Sequence, residues 1–275
     1  MKIKFLGTAA AEGIPALFCN CRVCRNALEK RGKEVKTRSQ SIIDDKILID
    51  FPADTYMHML YNGLDLKTIH TCVFTHCHSD HLYERDFWCR NKGIGNEIED
   101  VPLNVYVTHA GYEQCRKFVE RNVFDGRVLL NEIHPFVPFE AEGYRFIPLK
   151  ADHDPAADPV FYIIEHGDKT LLYANDTGIF PAETWEYLAG YGRRFDMVSY
   201  DCTGMILENC RQSHMSLSSN AEVHERLCQM GLCDENTVAY VNHFSHNSRA
   251  THEELVEAAD KYGFRVSYDG LEVEF

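Results

Sequence analysis

A layered α/β fold, with sheets inside and helices outside, is what this sequence predicts. Three observations carry that expectation. Runs rich in β-branched and aromatic residues, bounded by turn residues, recur along the chain. Segments with helical apolar spacing alternate with them. The chain has 275 residues, 45% of them apolar, enough for a sizeable core. No repeat, low-complexity tract or flexible linker is visible, so a single domain over 1–275 is expected.

In chain order, "KIKFLG" reads as a first strand closed by a glycine turn, and "QSIIDD" with "KILID" as a hairpin. "ADTYMHMLYNG" reads as a helix ending at Gly63, and "TCVFTH" as a short buried strand whose continuation past Asp80 turns helical. Further strands are expected at "LNVYVT", "YRFIPLK", "VFYIIE", "KTLLYAND", "FDMVSYD" and "NTVAYVNH". Helices are expected near 110–122, 181–189, 217–230 and 251–261. The third of these follows from the spacing of Leu217, Ala221, Val223, Leu227 and Met230. The basic run "KRGKEVKTR" reads as a solvated helix end.

The formal net charge of −14 makes DNA and large RNA poor partners, because such a surface repels phosphate backbones. Small anions stay possible where bound metal ions reverse the local field. No apolar run reaches membrane-spanning length, and the N-terminal apolar run is too short for a secretory signal. Eleven cysteines are an odd number, so reduced thiols and metal ligands in the cytoplasm are expected, without a disulfide framework. The sequence leaves the oligomeric state open, a homodimer included.

The chemistry concentrates in "THCHSDH". Residues two apart in an extended segment point the same way, so His76 and His78 face one metal while Asp80 and His81 face a second site close by. Cys77, between the two histidines, points away. Three more candidate ligands, His153, Asp176 and His243, stand at the carboxyl ends of expected strands, where loops assemble active sites. "CNCRVC" places Cys19, Cys21 and Cys24 in a short loop that suits tetrahedral zinc, with His246 of "HFSH" as fourth ligand. "GTAAAEG" is a small-residue turn and not a phosphate-cradling loop, since no Gly-Lys-Ser/Thr follows.

"HCHSDH", the later His153, the Asp of "YANDTG" and the first His of "VNHFSH" resemble, in this order, the metallo-β-lactamase superfamily. The resemblance covers nearly the whole chain. It implies a four-layer αββα sandwich with a two-metal site, zinc or manganese, along one edge. By that resemblance His76, His78 and His153 hold one ion, Asp80, His81 and His243 the other, and Asp176 bridges them. The pairing of Asp80 with His81 points to the hydrolase and phosphodiesterase branch. The cysteine loop with His246 resembles the structural zinc site of the phosphoribosyl 1,2-cyclic phosphate phosphodiesterase branch, shared by the pyrroloquinoline quinone biosynthesis protein B. "SHMSL" resembles the branch's His-Met-Ser segment, which implies that His214 approaches the leaving-group oxygen. "ERDFWCR" resembles its Asp-Leu-Arg element, which implies Asp86 as support for the site and Arg90 as a phosphate contact. "AAEGIPALF" departs from the small-Gly-Gly pattern of that branch.

The implied function is hydrolysis of small phosphodiesters, cyclic ones included. Two ions about 4 Å apart would generate hydroxide at neutral pH and clamp the phosphodiester oxygens, with His214 protonating the departing alkoxide. Asp80 and His214 are thus the expected catalytic residues, and no side chain need act as nucleophile. A thioesterase or lactonase on the same fold, and a non-hydrolytic metalloprotein like the quinone-biosynthesis member, are the rival readings.

Overall fold

The protein is described by a computed structural model covering residues 1–122 and 124–275. Two seven-stranded sheets face each other. The first contains β1 (Lys2–Gly7), β2 (Gln40–Ile43), β3 (Ile47–Ile49), β4 (Thr71–Val73), β5 (Leu103–Val107) and β6 (Val128–Glu132). The second contains β7 (Phe139–Ala141), β8 (Tyr144–Lys150), β9 (Val160–His166), β10 (Lys169–Ala174), β11 (Met197–Asp201), β12 (Val238–Asn242) and β13 (Arg265–Val266). The last strand, β14 (Leu271–Glu274), returns to the first sheet and pairs antiparallel with β1.

Side-chain alternation builds the layers. In β9, Val160, Tyr162 and Ile164 face the space between the sheets, where Ile3, Phe5, Ile47 and Val73 of the first sheet meet them. Phe161 and Ile163 point the other way, into an outer layer. That outer layer is closed by α1 (Arg22–Lys30), α4 (Ala182–Tyr191), α5 (Leu217–Gln229) and α6 (His252–Asp260), through Val23, Trp185, Leu227 and Leu255 among others. On the first sheet's outer face α3 (His109–Asn122) buries Cys115, and α2 (Thr55–Tyr61) buries Thr55 and His58. The result is the αββα sandwich. Among the described residues no helix is long and apolar enough to cross a membrane.

Strand direction decides where chemistry can gather. β3, β4, β5 and β6 run parallel in one sheet, and β10, β11, β12 and β13 in the other. Their carboxyl ends meet along one edge of the sandwich.

The expected strands and helices form, with boundaries shifted by up to three residues. Four strands escaped the sequence reading: β6, β7, β13 and β14, the outermost strands of the two sheets. An edge strand is short, or polar on its open side, so its apolar signal is weak. Two local readings are corrected. The cysteine loop is half helix: Cys21 caps α1, its sulfur accepting the Cys24 N–H, and Cys24 lies in the first turn. The basic run is not simply solvated. Lys36 is buried, its Nζ 3.2 Å from His252 Nδ1 and stacked over the Phe244 ring.

Candidate active site

The carboxyl ends of six parallel or adjoining strands supply the site. Asp50 follows β3, His76 to His81 follow β4, and His153 follows β8. Asp176 follows β10, Asp201 ends β11, and His243 follows β12. Asp50, Asp176 and His243 all have left-handed backbone, with φ of 65°, 51° and 63°. Such a conformation costs energy outside glycine and persists where the surrounding structure enforces it, as at functional sites.

Two histidine-rich sets converge. The ring nitrogens of His76, His78 and His153 lie within 4.8 Å of one another, as do ligand atoms of Asp80, His81 and His243. Asp176 stands between the sets. Its Oδ2 lies 3.2 Å from His81 Nε2 and its Oδ1 3.2 Å from His243 Nε2, and it also groups with His76.

Each imidazole is fixed from behind. His81 Nδ1 donates to Asp50 at 2.7 Å, and His153 Nδ1 donates to the Ser213 carbonyl at 3.1 Å. His243 Nδ1 meets Thr203 Oγ1 at 2.8 Å. His78 is turned the other way, Nε2 on Asp154 at 3.2 Å and Nδ1 towards His76 and His153. With the outer nitrogen occupied, the inner one presents a lone pair, the arrangement that tunes histidine ligands. Burial drives His76 well below the usual histidine range and lowers His153 too, so both favour the neutral, ligating form.

The orphaned atoms test whether a metal fits. His81 Nε2, His243 Nε2 and Asp176 Oδ2 are buried and have no hydrogen-bond partner among the described residues, although each histidine nitrogen lies 3.2 Å from one oxygen of Asp176. Burial opposes charge on His81, yet Asp176, Asp80 and Asp50 outweigh it and raise its pKa well above the usual range. Such a surplus of buried acceptors calls for cations, and His/Asp donors suit zinc or manganese.

The second set fits zinc by its dimensions. His246 Nδ1 lies 3.5 Å from Cys19 Sγ and 3.6 Å from Cys21 Sγ, and Cys24 completes the group. Zinc bonds of roughly 2.3 Å to sulfur and 2.0 Å to nitrogen give a tetrahedral edge of about 3.5 Å. Burial opposes ionisation of Cys21, but the Cys24 N–H and the His246 imidazole bring its pKa down to about 6, while burial pushes Cys24 up to about 12.

A cleft of about 390 Å³ opens over the ligand sets, and His214 lines it. The ring of His214 lies 4.9 Å from that of His153 and 5.6 Å from that of His243, centre to centre. Its Nδ1 donates to the buried Asp201 at 2.8 Å. Burial lowers its pKa, but Asp201 prevails and lifts it to about 9.

Residues 46–244 match the family described as the Beta-lactamase superfamily domain, a span holding every candidate ligand of the two histidine sets. The chain belongs to the metallo-β-lactamase superfamily. Superfamily members are in general metal-dependent hydrolases that bind divalent ions such as zinc. A diphosphatase from the PhnP family has the same fold, with a TM-score of 0.72, 24% identity and coverage of 100% of this chain and 98% of that one. So has Zn(2+)-bound PqqB from Methylobacterium extorquens, at 0.74, 18% and full coverage of both chains. Human tRNase Z, short form, follows at 0.66 and 12%, covering 100% and 99%. At these identities the likeness is one of fold. An octanoyltransferase of Porphyromonas gingivalis is 24% identical over 99% of this chain and 51% of its own length. The chain thus spans about half of that curated relative.

Within this superfamily site, Arg90 and Asp86 are not where the sequence reading put them. Both line a separate pocket on the outer side of the first sheet, with Phe87 and Ile69, and Arg90 donates to the Val101 carbonyl. The short helix Glu84–Arg90 turns them away from the cleft. The supporting carboxylates are instead Asp50 and Asp201, which sequence reasoning missed. The available signal was their position, each a carboxylate closing an apolar strand, as Asp176 nearly does.

Proposed function

We propose that the protein is a phosphodiesterase acting on small phosphodiesters, five-membered cyclic ones among them. The observation that carries this reading is His214: a proton donor backed by a buried carboxylate, set beside two complete ligand sets at the floor of one cleft. His76, His78 and His153, with Asp80, His81 and His243 and with Asp176 between them, would hold two divalent ions whose chemistry is Lewis-acid activation of water and phosphate. Asp80 suits this role as a carboxylate: burial works against its ionisation, but His81, His243 and His76 lower its pKa strongly. Cys19, Cys21, Cys24 and His246 would hold a structural zinc, joining the start of α1 to the turn that carries His243.

The side chains then divide the work. When the phosphorus–oxygen bond to the leaving group breaks, His214 gives its proton to the departing alkoxide oxygen. Asp201 keeps the ring oriented and its charge compensated. Cys210 is the thiol lining the cleft. Burial raises its pKa, and its S–H donates to the His214 carbonyl, so it is not an activated nucleophile. No side chain in the cleft is therefore the attacking group in this reading, which leaves that role to water. The net charge of −14 supports small substrates over polynucleotides.

Hydrolysis of an acyl bond is the second reading, and what favours it is the octanoyltransferase relative. The experiment compares kcat/KM of the metal-loaded protein on a ribose cyclic phosphate, a 2′,3′-cyclic nucleotide, a tRNA precursor, a thioester and a lactone. The cyclic phosphates should lead. A thioester or lactone ahead by a large factor would overturn the phosphodiesterase reading, and no turnover of any would favour a binding role.

A further inference from the structure

We propose that the cleft selects phosphodiesters with one phosphate, whose other substituent is a neutral or cationic hydrogen-bond donor, and that Glu12 makes the selection. The proposal rests on the phosphodiesterase reading for the scissile bond.

The argument starts from charge. Among the described residues that line the cleft there is no lysine and no arginine. Apart from the candidate ligands and His214, the walls are neutral at Ala10, Ala11, Gly204, Leu207 and Gln212, with Glu12 as the one additional charge. Two arginines beside the cleft are engaged elsewhere. Arg38 donates to the Ala11 carbonyl and pairs with Asp54 at 2.9 Å, and Arg211, on the neighbouring rim, pairs with Glu222. A second phosphate on the substrate would therefore meet no lysine or arginine on the described cleft wall and would lie in the field of Glu12.

Glu12 is held in place but only half used. Ser245 Oγ and Asn247 Nδ2 (2.9 Å) both donate to its Oε1. Its Oε2 accepts from no described residue, and the side chain is 29% exposed. Both donors sit in the turn after His243, so the carboxylate is anchored to the same turn as a candidate ligand. An open carboxylate oxygen held rigidly in a substrate cleft accepts from a hydroxyl or an ammonium group and repels a phosphate.

The test uses the full, metal-loaded chain and three matched substrates: ribose 1,2-cyclic phosphate, its 5-phosphate and its 5-amino-5-deoxy analogue. Binding of ribose 1-phosphate and ribose 1,5-bisphosphate is measured alongside by calorimetry, which needs no turnover. The wild type should favour the compound lacking the extra phosphate by about tenfold in both assays, with the amine at or above the hydroxyl. Glu12→Gln should shrink that ratio, whereas Glu12→Asp should keep it, which separates charge from packing. Leu207, 45% exposed on the same cleft, gives the opposite change: Leu207→Arg should shift preference towards the extra phosphate, and decides the matter if the Glu12 variants do not fold. A wild type that takes the doubly phosphorylated compounds equally well, or a ratio unmoved by Glu12→Gln, would overturn the proposal. If no diester is cleaved while the binding ratio and its response to Glu12→Gln hold, the phosphodiesterase reading falls and the charge filter stands.

Discussion

The buried Asp201 carboxylate accepts the Nδ1 proton of His214 at 2.8 Å. Its Oδ1 is pinned by the backbone N–H groups of Met215 and Thr203, at 2.9 and 3.0 Å. The pair thus ties the end of β11 to the residues just before the helix that Ser216 caps. Fixing Nδ1 leaves Nε2 as the proton that a leaving group can take. His214→Ala should therefore lose on the order of 10²–10⁴ in rate on alkyl phosphodiesters and far less on nitrophenyl ones, which need little protonation. Asp201→Asn should show the same bias with a smaller loss, as a positioning residue. Equal losses on both substrate types would remove the general-acid role.

Much of this site was legible because ligand chemistry is local. Three histidines and an aspartate within "HCHSDH", and three cysteines within "CNCRVC", are improbable except around metals. Both clusters come together in space as read, the second with His246 from more than two hundred residues away. What stayed hidden depends on tertiary approach. Asp50 and Asp201 look like ordinary strand-end carboxylates until the sandwich brings His81 and His243 against them. Arg90 failed for the converse reason: its short-range motif suggested a phosphate contact, but the direction of one short helix decides which pocket it enters. Lys36 is buried by α6 and by the turn carrying Phe244, both remote in sequence.

Metal content should fall into two classes. One class is a pair in the histidine sets, and the other is a single zinc in the Cys3His set. Cys21→Ser should remove the single zinc and destabilise the fold, because structural zinc contributes folding free energy. Asp176→Ala should disturb the pair and leave the single zinc bound. Elemental analysis of protein purified with metal supplementation decides this, and one ion per wild-type chain would sink the dinuclear assignment.

Asp50 should tune the site without touching substrate. It accepts from His81 Nδ1 and from the Thr75 amide and hydroxyl, and it is fully buried. Asp50→Asn should weaken binding of one ion of the pair by roughly 10–100-fold, the usual effect of losing such a partner. A chelator competition assay reads this directly. Unchanged affinity would mean that the backbone around His81, and not Asp50, orients the ring.

Acid stability should turn on His252, the first residue of α6. Three features oppose a proton there. The ring is buried, Lys36 Nζ donates to its Nδ1 from 3.2 Å, and the N-terminus of a helix disfavours positive charge. Burial first, then Lys36 and Lys33, lower its pKa to about 3. An unfolded histidine titrates near about 6.5, so between about 6.5 and about 3 the unfolded chain binds a proton that the folded chain refuses. The stabilisation is complete above this window and is lost as pH falls through it, amounting to roughly 2–3 kcal/mol at about pH 4.5. His252→Gln keeps an acceptor for Lys36 but has no proton to gain. Its stability measured by urea unfolding should therefore decline less steeply than that of the wild type between about pH 6.5 and 4.5. Parallel pH profiles for the two proteins would show that His252 does not titrate on unfolding and that the acid sensitivity lies in the buried carboxylates of the site.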